Sequence, residues 1–368
     1  MNRRTNAFVV GGGPTGLAAA ICLREKGFTV RIADGASPPI DKACGEGLMP
    51  DTVAALRRLG VKISPQDSFP LRGIRFVAGG VTIAADFSQD LGLGVRRTAL
   101  HAGMLAQAEK VGVECMWNSP VTGLPGGGVQ VRDRLFAADW IIGADGSRSR
   151  TRKWAGLEAS KKRIPRYAFR THFRRAPWSS YVEVYWSDHA QAYVTPVADN
   201  EVCLVVLSEQ PNMRAEIIPA LFPELTDRFP ASMLIGTERG AITTTNRLHR
   251  VFRDNVVLVG DASGSVDAIT GEGLNLGFQH ALALPQFLDS GNLLAYQKIH
   301  RSLQFRPAIM AYFLSLLGRQ KNLRDRIFRS FAADPSLFSN FLDLHLGHAS
   351  RPRAALAATR LGWRFATC

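Results

Sequence analysis

Five short segments of the chain place chemically capable residues at spacings that matter. The first is Gly11-Gly12-Gly13-Pro14-Thr15-Gly16, set between the apolar run Ala7-Phe8-Val9-Val10 and a helix-forming run from Leu17 to Leu23. A strand that turns through glycines into a helix presents free N–H groups and the positive end of the helix dipole, which together make a phosphate site. Gly11 opens the turn, Gly13 lets backbone approach a pyrophosphate, and Gly16 lets the helix pack on the strand. Pro14 and Thr15 complete the loop and belong to the same nucleotide site. A second strand, Phe28 to Ala33, ends at Asp34, 18 residues after Gly16. A carboxylate there accepts hydrogen bonds from ribose hydroxyls.

Gly260-Asp261-Ala262 follows the apolar strand 255–259, and Asp261 reaches a further ribose-type hydroxyl. Thr270-Gly271-Glu272-Gly273-Leu274-Asn275 then places Gly271, Gly273, Asn275 and Gly277 at a helix start, with N–H groups toward a cofactor ring edge or a pyrophosphate. Between the two glycine regions stands Trp140-Ile141-Ile142-Gly143-Ala144-Asp145-Gly146, followed by Ser149 and Arg152. The fifth segment is Ala43-Cys44-Gly45-Glu46-Gly47-Leu48. A thiol there donates a proton or simply lines a pocket. Glu46 is either a buried acid in a substrate cavity or a hydrogen-bond anchor for its loop.

The elements that must hold these residues follow from periodicity. The N-terminal strand–helix–strand unit predicts a parallel sheet with packed helices. Tyr181 to Trp186, Ala192 to Val197 and Glu201 to Val206 alternate, which predicts antiparallel strands. Tyr185, Trp186 and Tyr193 are candidate pocket aromatics, and alternation lets only some point inward. From about Leu303 the pattern is helical, with Phe305, Ile309, Tyr312, Phe313 and Leu316 at helical spacing and Lys321, Arg324, Arg326 and Arg329 as a basic face. These helices either rest on an anionic membrane or pack over the nucleotide domain, the second being the expected arrangement.

With 368 residues the chain is long enough for two domains. Its net charge is +14, and residues 301–368 hold eleven Lys/Arg against three Asp/Glu. No zinc spacing or RNA-binding signature accompanies that excess, so neither a metal nor nucleic acid is expected as a partner. The five cysteines, Cys22, Cys44, Cys115, Cys203 and Cys368, are scattered and form no C-x-x-C pair, which predicts reduced thiols in the cytoplasm. The start of the chain leads directly into a strand, so no secretory leader is expected. The run from Ala308 to Leu317 is too short to span a bilayer.

Together the glycine segments and the Asp145-Gly146 stretch resemble the FAD-binding fingerprints of the p-hydroxybenzoate hydroxylase and geranylgeranyl reductase superfamily, over roughly residues 6–345. That resemblance implies an α/β chain, α+β as a whole. Its Rossmann-like, GR2-type FAD-binding domain would comprise residues 1–66, 91–164 and 245–302. An inserted β-sheet substrate domain would take 67–90 and 165–244, and a C-terminal helical segment 303–368. It also implies that Asp145 helps bind the flavin and that Arg97, in Val95-Arg96-Arg97-Thr98, is the FAD-contacting arginine. Arg96 is read as a surface charge.

The branch is less plainly marked. Where hydroxylases carry a histidine and a proline after Gly-Asp-Ala, this chain has Gly264 and Ala268, whereas Asn275 and Gly277 fit them. Thr270-Gly271-Glu272-Gly273 and the Cys44 loop resemble the reductases, whose aromatic and proline motif has only Gln191 to Pro196 as a counterpart. The halogenase Trp-x-Trp-x-Ile-Pro signature is absent. The implied enzyme uses FAD, with NADH or NADPH as reductant, and oxygenates a hydrophobic aromatic or polyketide-like molecule through reduced flavin and a flavin hydroperoxide. The alternative is C=C reduction of a prenyl or lipid substrate; a third is flavin binding without turnover. Cys44 and Glu46 are the catalytic candidates, in a monomer or a homodimer with peripheral membrane contact as its alternative to a free cytoplasmic state.

Overall fold

The structure is a computed structural model that describes residues 5–157, 165–188, 190–211, 213 and 218–348. Cys368 and the part of the tail beyond His348 lie outside these residues. The helices are α1 Pro14–Glu25, α2 Pro50–Arg58, α3 Arg97–Lys110, α4 Arg150–Trp154, α5 Ile218–Leu221, α6 Gly273–Asp289, α7 Leu293–Arg319, α8 Lys321–Ala333 and α9 Pro335–Leu346.

A six-stranded sheet forms the nucleotide half, in the order Phe252–Arg253, Val256–Leu258, Trp140–Gly143, Asn6–Val10, Thr29–Ala33 and Glu114–Met116. Its strands are parallel except for the edge strand Phe252–Arg253. The central strand reads Ala-Phe-Val-Val without alternation because both its faces are covered, and all four residues are buried. α1 is buried on every side from Gly16 to Cys22, packed between the sheet, α3 and α6. Its small Ala18, Ala19 and Ala20 permit that enclosure, which an amphipathic helix could not tolerate.

A seven-stranded sheet forms the other half, in the order Leu234–Thr243, Arg166–Phe173, Glu201–Ser208, Ala190–Ala198, Tyr181–Trp186, Gly73–Ala78 and Val81–Asp86. The expectation of antiparallel pairing fails at one place: Tyr181–Trp186 runs parallel to Gly73–Ala78. The two strands are separated by residues 79–180, which supply Glu114–Met116 and Trp140–Gly143 to the six-stranded sheet on the way, and so long a connection can return the chain in either sense. Strand alternation splits this sheet between two cores. Val184 and Trp186 face α8 and α9 with Phe328, Phe331 and Phe338, whereas Tyr185 faces Ile218, Phe222 and Leu225.

The tail differs from expectation as well. α7 packs against α6, but α8 and α9 lie on the strand Val81–Asp86 of the second sheet rather than over the nucleotide half. Their phenylalanines need an apolar partner, and Phe76, Ile83 and Ala85 supply it. α7 also runs unbroken through position 303, with Pro307 inside it. The basic face divides: Arg324 is buried with Asp188 at 2.6 Å, and Lys321 pairs with Asp325 on its own helix.

Candidate functional site

A single cavity of about 610 Å³ runs from the glycine loop to the second sheet and α9. Its polar end is bordered by Gly11, Gly13, Pro14, Thr15, Asp34, Arg97, Asp145, Asp261, Gly271, Gly273 and Leu274. Gly16, Gly260 and Asn275 do not border it but shape it from behind. A Cβ at Gly16 would stand 1.9 Å from the Gly11 carbonyl oxygen, so α1 can close on the strand only with glycine there. Gly260 adopts φ +56° against Thr15, and Asn275 accepts from Gln279 inside α6.

The opposite holds at Gly13, Gly146 and Gly273, where a Cβ would meet no atom within 4 Å. These three positions outline an open backbone cradle at two helix N-termini, shaped for a diphosphate. Asp34 accepts the Gly12 and Ala36 amides at 2.7 and 2.8 Å, one on each oxygen, and each oxygen keeps a lone pair for a ribose hydroxyl. Arg97, the first residue of α3, is buried with no partner for its Nε. An unsatisfied guanidinium nitrogen beside an open cradle fits a bound polar cofactor. Lys42 stands 3.9 Å from Asp261 across the cavity.

Asp145 has a role its sequence context only half announces. Its carboxylate accepts from the Ser149 hydroxyl and from the Arg150 and Thr151 amides at 2.8 and 2.9 Å, capping α4. The side chain is thus engaged by the helix, and Asp145 borders the cavity through a turn that it stiffens. Arg152 ties this turn to the Gly260-Asp261-Ala262 segment by donating to the Ser147 and Ala262 carbonyls. His101 lies 2.9 Å from the Gly12 carbonyl and packs on Trp117, which in turn covers Gly12. Burial lowers the His101 pKa, so it serves as a neutral hydrogen-bonding group.

Cys44 and Glu46 stand two positions apart in the chain with different surroundings. Cys44 is half-buried in the cavity wall. Glu46 has a left-handed φ of 58° and a fully buried side chain. Its Oε1 accepts the Arg97 amide at 2.9 Å and Arg170 at 3.0 Å, and its Oε2 lies 2.6 Å from His172 Nε2. Arg170 also holds Asp41 at 2.8 Å, and Arg96 reaches both His172 Nδ1 and Glu201. Arg96 is therefore an ion-pair member, half-buried rather than a surface charge. Burial opposes ionisation of Glu46, but His172, the Arg97 amide and Arg170 outweigh it and hold its carboxyl below the usual range. Glu46, His172 and Cys203 bring ligand atoms within 4.8 Å of one another, yet these atoms are spent on protein partners and burial raises the Cys203 thiol pKa. Arg170 and His172 escaped the sequence reading. The available signal was the charge at Arg166, Arg170 and His172, one parity of an otherwise apolar strand.

The far end of the cavity is apolar and aromatic, with Phe76, Val184, Trp186, Leu314, Phe338 and Phe341 around it. Of the three aromatic candidates, Trp186 and Tyr193 border the cavity, and Tyr185 lies on the other face with its hydroxyl on Glu183 at 2.7 Å. Tyr193 donates to the Ile269 carbonyl at 3.0 Å. His345 faces the cavity edge with Nε2 3.2 Å from the Thr270 carbonyl, and burial pushes its pKa down to about 4, so it is neutral.

Glu272, the residue before α6, turns away from the cavity toward Arg306 at 3.2 Å, with its second oxygen unpartnered. Burial raises its pKa to about 7 from an ordinary 4.5, Arg306 opposing and nearby Asp51 assisting the rise. A raised acid destabilises the fold as pH climbs from 4.5 through 7, where the unfolded chain ionises more readily. Glu272→Gln removes that term. The wild type is expected to lose up to about 3 kcal/mol from this group between pH 4.5 and 8, and the variant none of it. Thermal unfolding of both proteins at the two pH values checks this; parallel behaviour refutes it.

Known proteins agree with this geometry. The FAD binding domain family model matches residues 4–290. A menaquinone reductase of Mycobacterium tuberculosis is 27% identical over 312 residues, covering 77% of this chain and 76% of the relative. A putative 2-heptyl-3-hydroxy-4(1H)-quinolone synthase, AqdB1, of Rhodococcus erythropolis is 28% identical and covers 95% of this chain and 96% of the relative. Among solved structures, the tetrameric 2-methyl-3-hydroxypyridine-5-carboxylic acid oxygenase superposes with a TM-score of 0.71 at 22% identity, over 92% of this chain and 93% of that one, which shows a shared fold. No described helix is long and apolar enough to cross a membrane. The strand–glycine–helix cradle, the Asp34 carboxylate and the family match over most of the chain lead to one assignment: this chain belongs to the FAD binding domain family and is an FAD-dependent oxidoreductase.

Proposed function

We propose that the chain is an NAD(P)H-driven monooxygenase that hydroxylates a hydrophobic aromatic or polyketide-like small molecule. The observation that carries this reading is the continuity of the cavity: the FAD cradle opens directly into a chamber of Phe76, Trp186, Phe338 and Phe341. Such walls favour a flat apolar substrate and keep water from the reacting ring. Bound FAD would supply the redox chemistry of a hydroxylation in which NAD(P)H provides two electrons, one atom of O2 enters the substrate and the other leaves as water. The chain's own residues hold and shield. Asp34, Arg97 and the Gly13 and Gly273 backbone hold the cofactor, the Glu46 network fixes the loop that walls the chamber, and the aromatic residues orient the substrate. The end-to-end similarity to the quinolone synthase supports oxygenation of a ring substrate.

Cys44 in the cavity wall favours the second reading, C=C reduction with the thiol as proton donor, and the menaquinone reductase likeness supports it. Turnover of candidate aromatics under 18O2 separates the two. Substrate-dependent NAD(P)H oxidation with one labelled oxygen in the product is expected. Anaerobic formation of a product with two added hydrogens, abolished in Cys44→Ser with FAD retained, would replace oxygenation by reduction.

A further inference from the structure

We propose that the outer face of α7 docks the enzyme on an anionic lipid surface. Leu294, Lys298, Arg301, Phe305, Ile309, Tyr312 and Arg319 recur at three- and four-residue spacing and so share one face of this helix. That face is open: Leu294 is 69% exposed, Phe305 68%, Ile309 51% and Tyr312 65%. The opposite face, with Met310, Leu314 and Leu317, is the one that packs inward. An exposed run of large apolar side chains marks a contact surface, since it has a packed alternative on the same helix and does not use it.

Charge decides which contact. The outer face of α7 carries Lys298, Arg301 and Arg319, Arg306 turns inward to Glu272, and the helix has no aspartate or glutamate. Lys298 and Arg301 stand at one end of the aromatic stretch and Arg319 at the other, Arg319 pairing with Glu209 at 2.8 Å and Arg301 bonding the His249 carbonyl. Apolar rings in the middle with cations at the ends match a helix lying in the interface plane, rings in the acyl boundary and cations among the headgroups. A second copy of the chain fits poorly, because two such helices would bring like charges together. A protein partner fits less well than lipid, since the cores of protein interfaces are depleted of charged residues, lysine among them. The stripe from Leu294 to Arg319 extends about 38 Å along the helix. The same helix contributes Leu314 to the cavity wall, and Phe313 packs on the wall residue Phe341, so a single helical layer separates the lipid-facing surface from the apolar chamber.

Sedimentation of the full-length, FAD-loaded protein with vesicles tests the proposal. Phosphatidylcholine vesicles with and without phosphatidylglycerol are the probes. Binding to the anionic vesicles is expected, and it should fall about tenfold or more in Lys298→Glu/Arg301→Glu and in Phe305→Ser/Ile309→Ser/Tyr312→Ser. All the changed side chains are exposed, so retained flavin absorbance and an unchanged unfolding midpoint serve as the fold control. Wild-type protein that stays in the supernatant overturns the proposal, as does equal binding by wild type and both variants. Loss of a dimer in light scattering by the triple variant, without vesicle binding by wild type, assigns the face to self-association and overturns it equally.

Discussion

Glu46→Ala is expected to destabilise the fold by about 3–5 kcal/mol, the range for removing one partner of a buried ionic network. The loss is large because three donors are left behind together: the Arg97 amide, Arg170 and His172. Loop 40–47 would keep only the ion pairs of Asp41 with Arg170 and Arg239 as its charged ties to the second sheet, and the cavity wall that includes Cys44 would loosen. Glu46→Gly removes the same carboxylate but relieves the left-handed φ of 58°, so it should recover about 1 kcal/mol relative to alanine. The pH dependence has a definite sign. A carboxyl with a lowered folded pKa contributes its full stabilisation above the ordinary glutamate value of 4.5, and loses it as pH falls below that toward the folded value. Wild type should therefore converge on the variants in acid. Unfolding midpoints and FAD retention across pH measure all three effects; an alanine variant that unfolds with the wild type refutes the anchor.

Gly13→Val is expected to lower FAD affinity by about 100-fold while leaving the apo fold in place. A Cβ at this position would meet no atom within 4 Å, so the branch point of the new side chain has room. The methyl groups would instead fill the space through which backbone approaches the pyrophosphate. Gly16→Ala should behave in the reverse sense. Its Cβ, 1.9 Å from the Gly11 carbonyl oxygen, forces α1 off the strand and lowers stability by about 3 kcal/mol before any ligand is considered. Titration of FAD into both apo proteins, with their unfolding midpoints, separates a ligand glycine from a packing glycine. Weak FAD binding by Gly13→Val together with a collapsed apo fold would show that the open cradle has been misread.

How much of this was readable beforehand depends on how local each feature is. The glycine turn, the placement of Asp34 at its strand end and the Gly260-Asp261-Ala262 turn were legible because short-range backbone geometry dictates those residue types. Asp145 was half legible: its place on the cavity border is local, but its spacing to Ser149 and Thr151 is also that of a helix cap. The Glu46 network was not legible, since Arg170 and His172 lie more than a hundred residues away in sequence and meet it only through the sheet. On α7 the difficulty was a surplus of signal. Phe305, Ile309 and Tyr312 recur at helical spacing, and so do Met310, Leu314 and Leu317. Periodicity alone finds both stripes and does not say which one the core takes.

The parallel pairing of Tyr181–Trp186 with Gly73–Ala78 carries a consequence for how the protein can be cut and made. The six-stranded sheet draws strands from 6–33, 114–143 and 252–258, and the seven-stranded sheet from 73–86 and 166–243. Each sheet is thus threaded through the other in sequence. No single proteolytic nick releases either one, and no continuous gene fragment encodes either one alone. On the ribosome the second sheet stays open, with Val81–Asp86 and Gly73–Ala78 as an unpaired hairpin, until the strands beyond residue 180 emerge. The two halves are therefore bound to fold as one unit, and a lesion in either should register as loss of both.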